Sequence, residues 1–145
     1  ELFETSIKNG LSVPTLRHPS TVVDPIVQIG DGTQLHAGSI LRAGSFIGKN
    51  VIINTGAIVD HEAIIGDHSS ISPAATLCGN TRVGAFSFVG AGAVLLPGIS
   101  VGRRSIVGAG AIVTKDVPDS MMCVGNPGRN YELGDISKEL IGEHR

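Results

Sequence analysis

The chain has 145 residues, of which 20 are glycine, about twice the usual share, while four Phe, one Tyr and no Trp supply all of its aromatic surface. A chain of this length is one domain's worth, not a multi-domain machine, and a core so poor in rings must be built from slim aliphatic side chains in a narrow interior. A formal net charge of −2 and a pI near 6.2, with no basic run, exclude a nucleic-acid-binding surface.

Residues 1–22 form a lead-in. No six-residue register runs from Glu1 to Pro19, and Pro14, His18-Pro19 and Pro25 predict an extended path there. No signal-peptide pattern opens the chain. Cys78 and Cys123 are too few for a disulfide framework and lack zinc-ligand spacing, which points to a reducing, cytoplasmic compartment.

Residues 23–118 are governed by a repeat. Stepping by six from Ile29 through Leu41, Ile53, Ile65, Leu77, Val89 and Val101 to Val113, every position is aliphatic, and four places after each comes a small residue in most cases, such as Ser39, Ala57, Ser69 or Ala93. A helix needs apolar residues three and four apart, so a strict six describes short strands joined by turns. A slower period lies on top. Ile29-Gly30, Ile47-Gly48, Ile65-Gly66, Val83-Gly84 and Val101-Gly102 recur every eighteen residues, so three sixes close one triangular coil. Five coils fit from Ile29 to Pro118, and at the ~4.8 Å spacing of stacked strands the prism is roughly 24 Å tall. Val83 to Gly102 is long and uncharged enough to consider a membrane span, but its glycines, Pro97 and intact repeat argue against one.

Sorting outward-facing positions by eighteen separates three faces. Ile40, Ile58, Thr76, Val94 and Ile112 share one; Ile52, Ser70, Phe88 and Ile106 share the second; the third passes from Phe46 and Ile64 to Arg82 and Ser100. Two largely apolar faces suit a subunit wedged between two neighbours, so a homotrimer is expected; the competing account is β-branched residues selected for strand propensity alone. The same sorting puts His61 on one corner with Ala43, Gly79, Pro97 and Lys115. It places His36 on a second with Asn54, Ser72, Gly90 and Gly108, and His68 on a third with Asn50, Phe86 and Arg104. Three histidines on three corners make no metal site within one chain, and a site shared between chains would be the signature of a zinc hydratase. His36 and His68 are read as surface residues, and Cys78 as an inert thiol without a base. After Pro118 the register stops. Residues 119–145 read as a loop with a turn at Gly125 to Gly128, then a short amphipathic helix over Ile136 to His144.

The stretch Asn54-Thr55-Gly56-Ala57, then Asp60-His61-Glu62, followed by Ile65-Gly66-Asp67 and Leu77-Cys78-Gly79, resembles the sugar acetyltransferases of the sialic acid O-acetyltransferase and bacillosamine N-acetyltransferase type, as does the tail from Val107 to Asp119 with Gly125-Asn126-Pro127. The resemblance implies an all-β fold, a left-handed parallel β-helix, and transfer of acetyl from acetyl-CoA to an amino or hydroxyl group of a sugar or nucleotide-linked sugar. It makes His61 the general base; imidazole accepts a proton near neutrality, and Glu62 is placed to hold its tautomer. Gly79, one coil above His61, offers an amide to the thioester oxygen, and Lys115, three coils or ~14 Å up, suits a cofactor phosphate. Ala91 and Ala109 fall where relatives present backbone groups to pantetheine, and Asn54 is a candidate substrate contact. Ser70 stands where relatives often carry a second histidine. Relatives usually bear an N-terminal α/β subdomain, of which residues 1–22 would be the remnant. A non-catalytic trimeric scaffold and a zinc hydratase are the alternative functions.

Overall fold

The computed structural model describes residues 2–133. Two-residue strands joined by four-residue corners wind through three parallel sheets, and each strand pairs with the one eighteen residues on: Ile58 with Thr76, Arg82 with Ser100, Phe88 with Ile106. The result is a left-handed β-helix of about six coils. Three corners join the sheets: one follows the strand Gln34–Leu35 and its stacked partners, one follows Ile40–Leu41, and one follows Phe46–Ile47.

The six-residue aliphatic series is the core. Leu41, Ile47, Ile53, Val59, Ile65, Ile71, Leu77, Val89, Leu95, Val107 and Val113 are fully buried, with Ala57, Ala63, Ala75, Ala93 and Ala111 between them. Close-packed slim chains fill a prism too narrow for rings. On one corner the small residues are hydroxyls with a task. Thr33, Ser69 and Ser87 donate to the carbonyls of Gly48, Gly84 and Gly102 at 2.7–2.9 Å and accept the N–H groups of Val51, Ser87 and Ser105 from the coil above, so that buried polar groups there are satisfied. The eighteen-residue glycines of that corner are demanded by close approach: a Cβ on Gly66 would sit 2.5 Å from the Ala85 nitrogen.

The coil starts earlier than the aliphatic register shows. Leu16–Arg17 already pairs with Gln34–Leu35, and Val22–Val23 with Ile40–Leu41, which makes six coils in place of five. Arg17 stands at an inward position of this end coil and turns its guanidinium to Thr21, with Nε 2.6 Å from Oγ1. A polar residue is tolerated there because this end coil is exposed at Leu16 and Arg17. The lead-in also contains a helix, Leu2–Lys8, where an extended path was expected. Its Phe3 is buried against Gly32 and meets the His68 ring edge-on at 5.8 Å. Its Glu4 accepts from His68 Nε2 at 3.1 Å. His68 is therefore not a free surface residue: its side chain is 13% exposed, stacked on Phe86 at 4.7 Å, with Nδ1 2.9 Å from Asn50 Nδ2. Beyond Pro118, Met121–Val124 adds to the first sheet and Arg129–Glu132 folds back antiparallel on it, across the turn at Gly125 to Gly128. The helix expected over residues 136–144 lies outside the described residues.

Candidate active site

His61 opens the corner after the strand Ile58–Val59. Register places Leu77 directly above Val59 and Leu95 above Leu77, so Gly79 and Pro97 stack over His61 along the prism edge, with Lys115 beyond the strand Ile112–Val113. The backbone here is well held. Asp60 Oδ1 accepts the His61 N–H at 2.8 Å, the His61 carbonyl accepts from Asn80 N at 2.9 Å, and Glu62 N donates to the Ala43 carbonyl at 3.0 Å. Glu62 occupies the left-handed region at φ 56°, which the corner geometry imposes equally on Asn50, His68, Asn80, Phe86 and Arg104.

The two side chains form a pair. His61 Nδ1 lies 3.6 Å from Glu62 Oε2, and both groups are more than half exposed, at 55% and 64%. The imidazole reaches upward over Gly79, so that its Nε2 and Cε1 occupy the space a Cβ would need. Glu62 lies over the coil below, its Cγ 3.2 Å from where a Cβ of Gly44 would stand. Nδ1 is thus engaged by the carboxylate and Nε2 is the nitrogen left for a substrate proton. Among the described residues the Gly79 N–H has no hydrogen-bond partner.

Cys78 sits beside this corner, half-buried, and burial together with the Asp60 carboxylate pushes its thiol up, the wrong direction for a nucleophile at neutral pH. His61, Glu62, Gly79 and Lys115 share one corner. Asn54, Ala91 and Ala109 do not: they belong to the corner that follows the strands Ile52–Ile53, Phe88–Val89 and Ile106–Val107. Within one chain they are separated from His61 by a sheet. That second corner carries a depression of about 510 Å³ at its lower end, lined by Leu16, His18, Gln34, His36 and Thr55 among others. It is not at the His61 corner, which is a convex edge in a single chain. Eighteen-residue spacing places Gly44 beneath Glu62 but does not reveal that the Glu62 stem lies against it.

Residues 80–115 match the bacterial transferase hexapeptide family (six repeats). Those residues carry the family's repeats, in a chain that folds as a left-handed β-helix. It is 41% identical to PerB from Caulobacter crescentus, solved in complex with CoA and GDP-perosamine, over 90% of this chain and 63% of that one, with a TM-score of 0.89. The acetyltransferase domain of PglB from Neisseria gonorrhoeae, in complex with acetyl coenzyme A, is 38% identical over 90% and 63%, with a TM-score of 0.88. WeeI from Acinetobacter baumannii is 32% identical over 90% and 64%, with a TM-score of 0.86. The chain therefore spans a little under two thirds of these relatives' length. No curated protein sequence matches it significantly. Among the described residues no helix is long and apolar enough to cross a membrane.

Proposed function

We propose that this protein is an acetyl-CoA-dependent acetyltransferase acting on an amino or hydroxyl group of a nucleotide-linked sugar, with His61 as general base. The observation that carries the reading is the His61 imidazole itself. It is paired through Nδ1 with Glu62 at 3.6 Å and laid with Nε2 over the bare Gly79, in a chain 41% identical to a protein solved with CoA and GDP-perosamine.

The chemistry follows from that arrangement. The acceptor's nitrogen or oxygen attacks the thioester carbonyl carbon while His61 Nε2 takes its proton. Glu62 holds the imidazole in the tautomer that leaves Nε2 free and steadies the imidazolium that forms. The unpartnered Gly79 amide is the donor for the carbonyl oxygen as it becomes an oxyanion. When the carbon–sulfur bond breaks, the imidazolium returns its proton to the departing thiolate, so no proton or electron is left over. Above Gly79 the corner runs over Pro97 and Gly98 to Lys115, an exposed cation three coils or ~14 Å above His61 that suits a cofactor phosphate.

A convex corner needs a wall. The outward line Ile40, Ile58, Thr76, Val94 and Ile112 borders the His61 corner on one side and is half-buried at every strand; Ile52, Ser70 and Ile106, half-buried, form a second line with the exposed Phe88. A homotrimer that packs these faces together closes a cleft beside His61 and brings Asn54, Ala91 and Ala109 of a neighbouring copy within reach of the substrates. Two free thiols and dependence on acetyl-CoA are consistent with a cytoplasmic enzyme. The test is thiol release from acetyl-CoA in the presence of a panel of nucleotide-linked amino sugars. Release that requires an acceptor supports the reading, while acetyl-CoA binding without transfer would favour a scaffold.

A further inference from the structure

Gly79 invites a question that its backbone does not answer. The left-handed slot of each corner on this edge is the following residue, Gly44, Glu62, Asn80 or Gly98, and the positions stacked with 79 are filled by Ala43, His61, Pro97 and Lys115. Neither conformation nor coil stacking requires a glycine there. What requires it is the ring below: the three atoms nearest to a Cβ at this position are Nε2, Cε1 and Cδ2 of His61, the last at 3.0 Å. The first two lie closer than real Cβ contacts allow, so the ring, the movable end of an exposed side chain, would have to shift.

We infer that Gly79 is a positioning residue for His61, its missing side chain being the seat that holds the imidazole upright with Nδ1 on Glu62 and Nε2 beside the Gly79 amide. Apart from the Glu62 carboxylate 3.6 Å from Nδ1, no polar contact among the described residues holds the ring, which is 55% exposed. A methyl group at 79 therefore leaves it one way to go, outward, and the turn that clears the methyl carries Nδ1 off the carboxylate. The imidazole of His68 makes the contrast. It is pinned by Phe3, Phe86, Asn50 and Glu4, whereas His61 has only a carboxylate and a bare backbone. The seat is distinct from the amide's part in catalysis, because Gly79→Ala keeps the N–H and removes only the space.

This inference deepens the acetyltransferase reading and rests on it for its kinetic test, so a structural measurement accompanies the kinetics. In Gly79→Ala, kcat is expected to fall about tenfold or more, as misplacement of a catalytic group does, with KM for acetyl-CoA changed less than about twofold. Glu62→Gln should add no further loss in that background, although it lowers kcat in the native protein. A crystal structure of Gly79→Ala should show the ring rotated outward and its contact with Glu62 broken. An unmoved ring overturns the inference, as does a rise in KM with kcat preserved, which would leave Gly79 only its amide. If the wild-type protein acetylates nothing, the acetyltransferase reading falls and the crystal structure still decides the seat. Should Gly79→Ala fail to fold, His61→Ala/Gly79→Ala should fold, since the ring supplies the nearest obstacles; failure of both overturns the inference.

Discussion

Replacing His61 by alanine separates catalysis from architecture. The side chain is 55% exposed and its one polar side-chain contact is an equally exposed carboxylate at 3.6 Å, a pair worth about 0.2–1 kcal/mol. The corner's hydrogen bonds, from His61 N to Asp60 Oδ1 and from Asn80 N to His61 O, do not involve the ring. Stability should therefore change by less than about 1 kcal/mol. Turnover should fall at least about a hundredfold, the lower end for loss of a general base, which corresponds to about 2.7 kcal/mol of barrier. The assay is continuous thiol release at saturating acetyl-CoA and acceptor, beside thermal melting and acetyl-CoA binding by calorimetry. Near-native turnover in His61→Ala, with the same Tm and binding, would refute the base assignment.

Glu62→Gln should lower kcat less than His61→Ala does, because the carboxylate orients and steadies the imidazole without taking the proton; steady-state kinetics of the two variants side by side test the order. Lys115→Ala should raise KM for acetyl-CoA several-fold with kcat nearly unchanged, since a phosphate contact three coils from the reacting carbon does not strengthen in the transition state. Ile58→Glu places a charge in the middle of the outward line between Ile40 and Thr76 and should break up the proposed trimer in light scattering, while a native monomer in the unaltered protein would remove the basis for the shared cleft. Cys78, its thiol raised by burial and by Asp60, carries less thiolate at pH 7–8 than a free cysteine. Alkylation should accordingly be slow there, accelerate only at higher pH than for an unhindered thiol, and leave Cys78→Ala as active as the native protein; rapid modification at pH 7 would contradict the assigned shift.

Most of the fold is legible in the sequence because the same six-residue series that lines the core also sets the register. Ile29, Ile47, Ile65, Val83 and Val101, each followed by glycine, mark one sheet-to-sheet corner, and the structure stacks them as their spacing requires. The first coil escapes the pattern because Arg17 occupies an inward position of an exposed end coil, where a polar side chain carries little penalty. The helix Leu2–Lys8 is too short to show a period, and it is held by tertiary contacts of Phe3 and Glu4 with His68, which no local signal announces. The site divides in the same way. Eighteen-residue sorting aligns His61, Gly79 and Lys115 and separates Asn54, Ala91 and Ala109 from them. Spacing is silent on rotamers, so the ring lying on Gly79 and the Glu62 stem lying over Gly44 emerge only from side-chain positions.

The proposed activity moves an acetyl group from acetyl-CoA to a nucleotide-linked sugar through His61. Mass spectrometry of the acceptor after incubation with acetyl-CoA and either the native protein or His61→Ala tests it most directly. The account predicts one acetyl group added to the sugar by the native protein and little or none by the variant over the same time. An acceptor acetylated equally by both, or an unmodified acceptor across a full panel of amino-sugar nucleotides with CoA thiol never released, would contradict it.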